Sequence, residues 1–144
     1  MEKKRSGLLM LIGLVTVLSN AYALWNEYVR IFLKMPSLNN KLLNMVAAYT
    51  ALYPSPLVVR PGHAHMNIAV WLIVVIACGL GLLLLNDICR LVLLTLCFAN
   101  IVGFIATNYP YFGNAAYIAG NLVLPIVYII YLNIPGVKKQ FGGW

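Results

Sequence analysis

The stretch VIACGLGLLLLNDICRLVLLTLC, from Val75 to Cys97, decides the fold of this chain. It joins two apolar runs through Asn86 and Asp87 alone, and so short a polar link leaves room only for a tight turn. Each run belongs to a segment of about 20 apolar residues, the length that a helix needs to cross the hydrocarbon of a bilayer. The stretch therefore predicts a helical hairpin in a membrane.

The composition of the whole chain agrees with a membrane location. Of its 144 residues, 62% are hydrophobic and 9% are charged, whereas about a quarter of the residues in soluble domains are charged. The length suits one integral membrane domain, residues 1–144, without a separate soluble domain. The net charge of +7 does not indicate a nucleic-acid partner, because the basic residues lie at the ends of apolar segments.

Four apolar segments are long enough to span the bilayer, at about residues 7–32, 66–85, 88–107 and 115–132. They predict an all-α fold, a bundle of four transmembrane helices. The three cysteines show no paired spacing and are interpreted as small buried apolar residues.

The connection between the first and second spans has a pattern of its own. Apolar residues recur there at spacings of three and four, which predicts an amphipathic helix over residues 37–53 with Ser37 as its N-cap. We expect this helix to lie along the outer membrane surface or to cover the mouths of the other helices. The prolines and glycine of YPSPLVVRPG then return the chain in extended form.

The distribution of lysine and arginine predicts the orientation of the spans. Six basic residues fall on one side and four on the other, and the positive-inside rule then places both termini in the cytoplasm of a cell with a bacterial-type inner membrane. The larger group is Lys3, Lys4, Arg5, Arg90, Lys138 and Lys139; the smaller is Arg30, Lys34, Lys41 and Arg60. An alternative for the first segment is a cleavable secretory signal, since KKR, an apolar run and NAYA follow in order.

Polar residues within the spans gather in their outer halves. Glu27, Asn67, Asn100 and Asn121 all fall there, and polar groups in a bilayer are costly and often functional. They predict a pocket or polar network that opens outward, shaped in part by Pro125, which should free a backbone carbonyl near Asn121. Alternatively, the asparagines only form hydrogen bonds between neighbouring helices.

Both histidines lie in RPGHAHMNIAVW, residues 60–71. Imidazole is a common metal ligand and Met66 offers a soft sulfur for copper, so His63 and His65 are the candidate metal ligands. On a helix their rings diverge by about 200°, so chelation of one metal requires the segment before Met66 to be non-helical. The alternative is that both rings sit at the lipid headgroups and cap the helix.

The same stretch resembles the R-x-x-H-A-H-x-N-x-x-x-W motif of small four-helix bacterial membrane proteins related to subunit I of haem-copper oxidases. The likeness continues weakly into FANIVGF and AGNLVLPIVYIIYLN. It implies a haem or copper site that involves His63, His65, Asn67, Trp71 and Asn100. It does not imply oxidase chemistry, because this chain has two histidines, far fewer than such subunits use, so we expect no independent catalytic activity.

Three hypotheses about function follow. The first is a haem- or copper-binding component of a respiratory-type membrane complex, in which Asn67 and Asn100 orient an imidazole and Glu27, Met66 and Asn121 complete the pocket. The second is a structural or assembly subunit without a cofactor. The third is a carrier of a small apolar or quinone-like ligand, with Trp25, Tyr109 and Tyr111 at its mouth. The expected partners are the lipid bilayer and other membrane subunits or further copies of the chain.

Overall fold

The structure, a computed structural model, describes residues 6–26, 40–54, 64–109 and 115–142. Helices make up 88% of these residues, and none of them forms a strand, so the predicted all-α class is confirmed. The described helices are α1 (Gly7–Leu24), α2 (Lys41–Thr50), α3 (Ala64–Leu83), α4 (Asp87–Asn108), α5 (Ala115–Asn133) and α6 (Pro135–Gln140).

Three of these helices, α1, α3 and α4, are long and apolar enough to cross a membrane, and α5 contains the shorter apolar stretch Ile118–Asn133. The bounds of α3, α4 and α5 agree with the predicted spans to within two residues. The first predicted span ran to residue 32, but α1 ends at Leu24 and residues 27–32 lie outside the described ranges. The second helix was predicted over residues 37–53 with Ser37 as its cap, but α2 is capped by Asn40 and ends at Thr50; Ser37 lies outside the described ranges.

The turn between α3 and α4 is built as the sequence predicts. The side chain of Asn86 accepts hydrogen bonds from the backbone N–H groups of Ile88 and Cys89, at 2.9 and 3.3 Å, and so caps α4. Its own N–H donates to the carbonyl of Gly81 at 2.8 Å. Leu85 adopts a left-handed φ of 56°, which costs a leucine about 1–2 kcal/mol. Burial of its side chain offsets this cost.

The helices α1 and α3 approach each other closely through two glycines. A Cβ on Gly79 would lie 2.9 Å from Cγ2 of Val17, and one on Gly13 would lie 2.8 Å from Cδ2 of Leu83. A Cβ at Gly79 would press on the stiff side chains of Val17 and Thr16, whereas one at Gly13 would require the side chain of Leu83 to move. Small residues at such crossings let membrane helices gain dispersion contacts where no hydrophobic effect drives them together.

The end of the bundle that contains the turn at residues 84–86 is called the hairpin end, and Arg90 holds it together. The guanidinium is only 3% exposed. Its Nε donates to Oδ1 of Asp87 at 2.6 Å, its Nη1 donates to the carbonyl of Leu132 at 3.2 Å, and it lies 5.7 Å from the ring centre of Phe141. A buried charge is tolerated only with such partners, so Arg90 ties α4 to the last turn of α5.

The start of α1 is bound to the same end. The backbone N–H of Ser6 donates to Oε1 of Gln140 at 3.0 Å, and its hydroxyl lies 2.9 Å from that of Tyr131. Further along α1, the hydroxyls of Thr16 and Tyr128 are 2.6 Å apart in the core. The beginning of α1 therefore meets α5 and α6 at the hairpin end. The opposite end, where α2 lies, is called the loop end.

Candidate functional site

At the loop end, the chain that follows α2 enters the bundle as a non-helical segment, residues 51–54. Three side chains from three helices hold its backbone, and we call this arrangement the Leu52 clamp. Oδ1 of Asn20 accepts from the N–H of Leu52 at 3.0 Å, and Nε1 of Trp71 donates to the carbonyl of Leu52 at 2.9 Å. Nδ2 of Asn100 donates to the carbonyl of Tyr53 at 2.6 Å.

The Leu52 clamp supplies hydrogen-bond partners to a buried non-helical backbone. A non-helical segment inside a membrane bundle leaves its peptide groups without helical partners, and each unsatisfied group in an apolar environment costs several kcal/mol. Leu52 is 3% exposed and Asn20 is fully buried, so water does not substitute for these bonds. The Nδ2 group of Asn20 is also engaged, with the carbonyl of Thr16 at 2.7 Å. The segment is therefore fixed to α1, α3 and α4 together.

Some of the predicted site residues meet at this place. Trp71 and Asn100 both belong to the clamp, and Asn100 and Asn121 line a small cavity of about 30 Å³ beside it. Pro125, which lacks the N–H that would bond to the carbonyl of Asn121, lines the same cavity. A cavity of this size holds about one water molecule. Of the predicted polar residues, Asn100 and Asn121 therefore line one cavity, and Asn100 bonds to the chain's own backbone.

Other predicted residues are not brought into the clamp. Met66 is 72% exposed and Asn67 is half-buried. The backbone of His65 lies in the first turn of α3, which begins at Ala64; its side chain is outside the described part of the structure, as are all of His63 and Glu27. The extended backbone that chelation by both rings requires is not present at His65.

The described residues do not supply a metal site by themselves. Within residues 6–26, 40–54, 64–109 and 115–142, no group of three or more histidine, cysteine or acidic side chains comes together. Cys78 and Cys97 are buried and Cys89 is half-buried; all three are free thiols. The described side chains therefore do not form a complete metal site by themselves.

Asn20 was not predicted as a site residue; in the sequence it stood only as part of the signal-like NAYA pattern. The signal was present, because Thr16, Ser19 and Asn20 stand at the three- and four-residue spacing of one helical face within an apolar segment. All three are buried, and the hydroxyls of Thr16 and Ser19 donate to the carbonyls one turn earlier. A buried polar stripe of this kind marks the face of α1 that meets the other helices.

A larger groove lies beside the Leu52 clamp, between α1 and α2, and Tyr53 lines it. It has a volume of about 380 Å³ and is lined by Tyr22, Ala23, Asn26, Asn44, Ala47, Ala48 and Tyr53. The hydroxyl of Tyr22 donates to Oδ1 of Asn44 at 2.6 Å across it. The predicted mouth residue Tyr109 is not part of this lining and is 74% exposed, and Tyr111 lies outside the described ranges.

These features define the class of the protein. Three apolar helices of spanning length, packed through glycines and a buried polar clamp, belong to a multi-pass helical membrane protein. No protein-family model, no curated protein and no solved structure matches the chain. The resemblance to the haem-copper oxidase group therefore stays a prediction.

We expect the variant Asn20→Leu to lower the free energy of unfolding by about 1–3 kcal/mol, because it leaves the buried N–H of Leu52 without an acceptor. Unfolding of the purified chain in mixed micelles by a denaturing detergent measures this change. The matched control is Asn133→Leu, an exposed asparagine whose amide bonds only to its own helix, with an expected change below about 0.5 kcal/mol. Equal effects of the two substitutions would contradict the clamp.

Proposed function

We propose that the chain is a small accessory subunit of a larger membrane complex, of the respiratory type that its histidine motif resembles, without catalytic activity of its own. The observation that carries this proposal is the Leu52 clamp. Asn20, Trp71 and Asn100, the polar side chains best placed for a site within the bundle, are committed to the backbone of Leu52 and Tyr53. Groups engaged in this way stabilise a scaffold.

We further propose four membrane spans, with both termini in the cytoplasm of an inner membrane. Two observations support four membrane spans. The helix α5 has 19 residues, or about 29 Å at the usual rise, close to the thickness of the hydrocarbon. The hydrogen bond between Ser6 and Gln140 brings the start of α1 and the end of α6 to one side, as an even number of crossings requires.

In a variant whose three cysteines are replaced by alanine, single cysteines at positions 3, 41 and 139 test this topology. We expect Lys41→Cys to react with a membrane-impermeant maleimide in intact cells. We expect Lys3→Cys and Lys139→Cys to react only after the membrane is opened. If positions 3 and 139 were labelled from opposite sides of the membrane, four spans would be contradicted. If every position were labelled from the side opposite to the one expected, the cytoplasmic location of the termini would be contradicted.

The partner would meet the chain at α2. This helix of 10 residues is too short to span, yet it exposes large apolar side chains: Leu42 is 68%, Met45 63% and Tyr49 52% exposed. On its other side Ala47 is buried. Exposed apolar surface outside the spans is typical of contacts with another subunit. An apolar surface on a neighbouring membrane subunit is the complement that we propose.

We expect the variant Met45→Glu to release the chain from its complex, because the new carboxylate would be desolvated in the interface. Native gel electrophoresis of mildly solubilised membranes, stained for haem and probed for this chain, measures co-migration with a respiratory complex. The control Ile134→Glu places the same charge on an exposed residue at the hairpin end and should leave co-migration intact. Migration of the wild-type chain as a free monomer, or only as its own oligomer, would contradict the proposal.

A haem or copper site at the loop end is the second candidate function. One observation favours it: α3 begins at Ala64, so His65 stands in its first turn, at the same end of the bundle as α2 and the groove. Since the described donors do not complete a site, we propose one histidine ligand per chain, with the other ligand from the exposed Met66 or from a partner. Such a group would supply electron transfer to the complex.

We expect iron or copper to co-purify with the untagged chain and to fall at least tenfold in the variant His63→Ala/His65→Ala, because imidazole is the only strong donor in this segment. Plasma mass spectrometry and the haem absorption spectrum measure this directly. The variant Met66→Leu distinguishes the two sources of the other ligand. Loss of metal in this variant would indicate the sulfur of Met66, and retention would indicate a residue of a second protomer. Metal-free protein from cells rich in iron and copper would reject this second candidate and leave the accessory role untouched.

A further inference from the structure

We propose that a groove between α4 and α5 binds one acidic phospholipid, with an acyl chain in the groove and the headgroup at the lysines of α6. This α4/α5 groove has a volume of about 300 Å³. Its position near the hairpin end follows from Arg90, which donates to the carbonyl of Leu132. It is lined by Leu94, Thr95, Phe98, Ile129 and Asn133.

The lining of the α4/α5 groove suits a hydrocarbon chain. Its two polar side chains already bond to their own helices: the hydroxyl of Thr95 donates to the carbonyl of Leu91 at 3.0 Å, and the amide of Asn133 donates to the carbonyl of Ile129 at 2.8 Å. The rest of the lining is apolar, and Phe98 is 64% exposed. Because α4 is long and apolar enough to span a membrane, this surface meets acyl chains, and a chain seated there gains dispersion contacts.

One edge of the α4/α5 groove leads to two lysines. Asn133 is the last residue of α5, and the carbonyl of the next residue, Ile134, accepts the N–H of Lys138 at 2.9 Å. The backbone of Lys138 therefore lies one helical turn beyond the groove. Lys138 is half-buried and Lys139 is exposed, and neither forms an ion pair with any residue that the structure describes. Val137 between them and the groove is buried, so α6 is packed on the bundle.

The surrounding charges favour an acidic headgroup. Asp87 is the only acidic residue within the described ranges, and its carboxylate is engaged by Arg90 at 2.6 Å. The sequence adds KKR at residues 3–5, against the single acid Glu2, directly before Ser6, which is bonded to α6. Basic groups at a membrane surface attract lipids of net negative charge. A zwitterionic lipid brings its own ammonium group, which lysines repel.

This inference stands apart from the accessory-subunit proposal, because it needs no partner chain. The test uses the purified full chain in a mild neutral detergent. The probes are phosphatidylglycerol and phosphatidylcholine with identical acyl chains. Native mass spectrometry counts the lipids that stay bound and, in a titration, gives an apparent Kd for the first of them. We expect one phosphatidylglycerol per chain, bound at least fivefold more tightly than phosphatidylcholine. Equal affinities of the two lipids, or binding of neither, would overturn the proposal.

A double variant tests the headgroup contact. We expect Lys138→Gln/Lys139→Gln to raise the apparent Kd of phosphatidylglycerol at least tenfold and that of phosphatidylcholine less than threefold, because only the acidic lipid depends on the lysine charges. The control Lys34→Gln/Lys41→Gln removes the same net charge from α2 and the connection before it and should stay within twofold of the wild type. An equal loss in the control would show that net charge alone attracts the lipid and would overturn the site.

A second variant tests the acyl contact. Thr95→Trp fills the α4/α5 groove, so we expect it to raise the apparent Kd of both lipids at least fivefold, since they carry the same chains. The control Val102→Trp adds similar bulk at a 49% exposed position of α4 outside the lining and should stay within twofold. Unchanged affinity in Thr95→Trp would overturn the assignment to this groove. So would a dimer that forms without lipid and is lost in Thr95→Trp, because a second copy of the chain would then occupy the groove.

Thermal unfolding, followed by circular dichroism, is compared with that of the wild type for each variant before lipid is added. If Thr95→Trp unfolds early, Phe98→Ala replaces it, because it removes an exposed ring from the wall of the groove. We expect Phe98→Ala to weaken both lipids at least threefold, and unchanged affinity there would also overturn the assignment.

Discussion

The peptide groups of Leu52 and Tyr53 impose the constraint on which the rest of this structure depends. They lie in a non-helical segment between the helices, where no helical ladder satisfies them and Leu52 is buried from water. Asn20, Trp71 and Asn100 supply the missing partners, one from each of α1, α3 and α4. Because the three bonds converge on two residues, they fix the helices to one another and seat α2 at the loop end.

The two ends of the bundle are built differently. The hairpin end is closed by Arg90, which joins Asp87, the last turn of α5 and Phe141, and by the bonds of Ser6 to α5 and α6. The loop end carries the groove, the exposed face of α2 and the start of α3 with His65.

Much of the fold could be predicted from the sequence, because apolar length and short polar links are local signals. The pair Asn86 and Asp87 alone predicted the hairpin, and the described bounds of α3, α4 and α5 follow the apolar segments closely. The clamp could not be predicted in full. The partner of Asn20 is a backbone group 32 residues away, and nothing in the local pattern says that a loop returns into the bundle. Asn100 was predicted either to bond across helices or to orient an imidazole, but the structure shows it donating to the carbonyl of Tyr53 in the loop.

Amide hydrogen exchange at Leu52 measures whether the loop is held inside the bundle. We expect this N–H, although it belongs to a loop, to exchange as slowly as the amide of Leu93 in the core of α4, because Asn20 holds it in a dry site. The N–H of Leu43, bonded to an exposed cap at the start of α2, is the reference for a weakly protected amide. Exchange of Leu52 as fast as that of Leu43 would show that the loop is not clamped, and the account of this bundle would then be wrong.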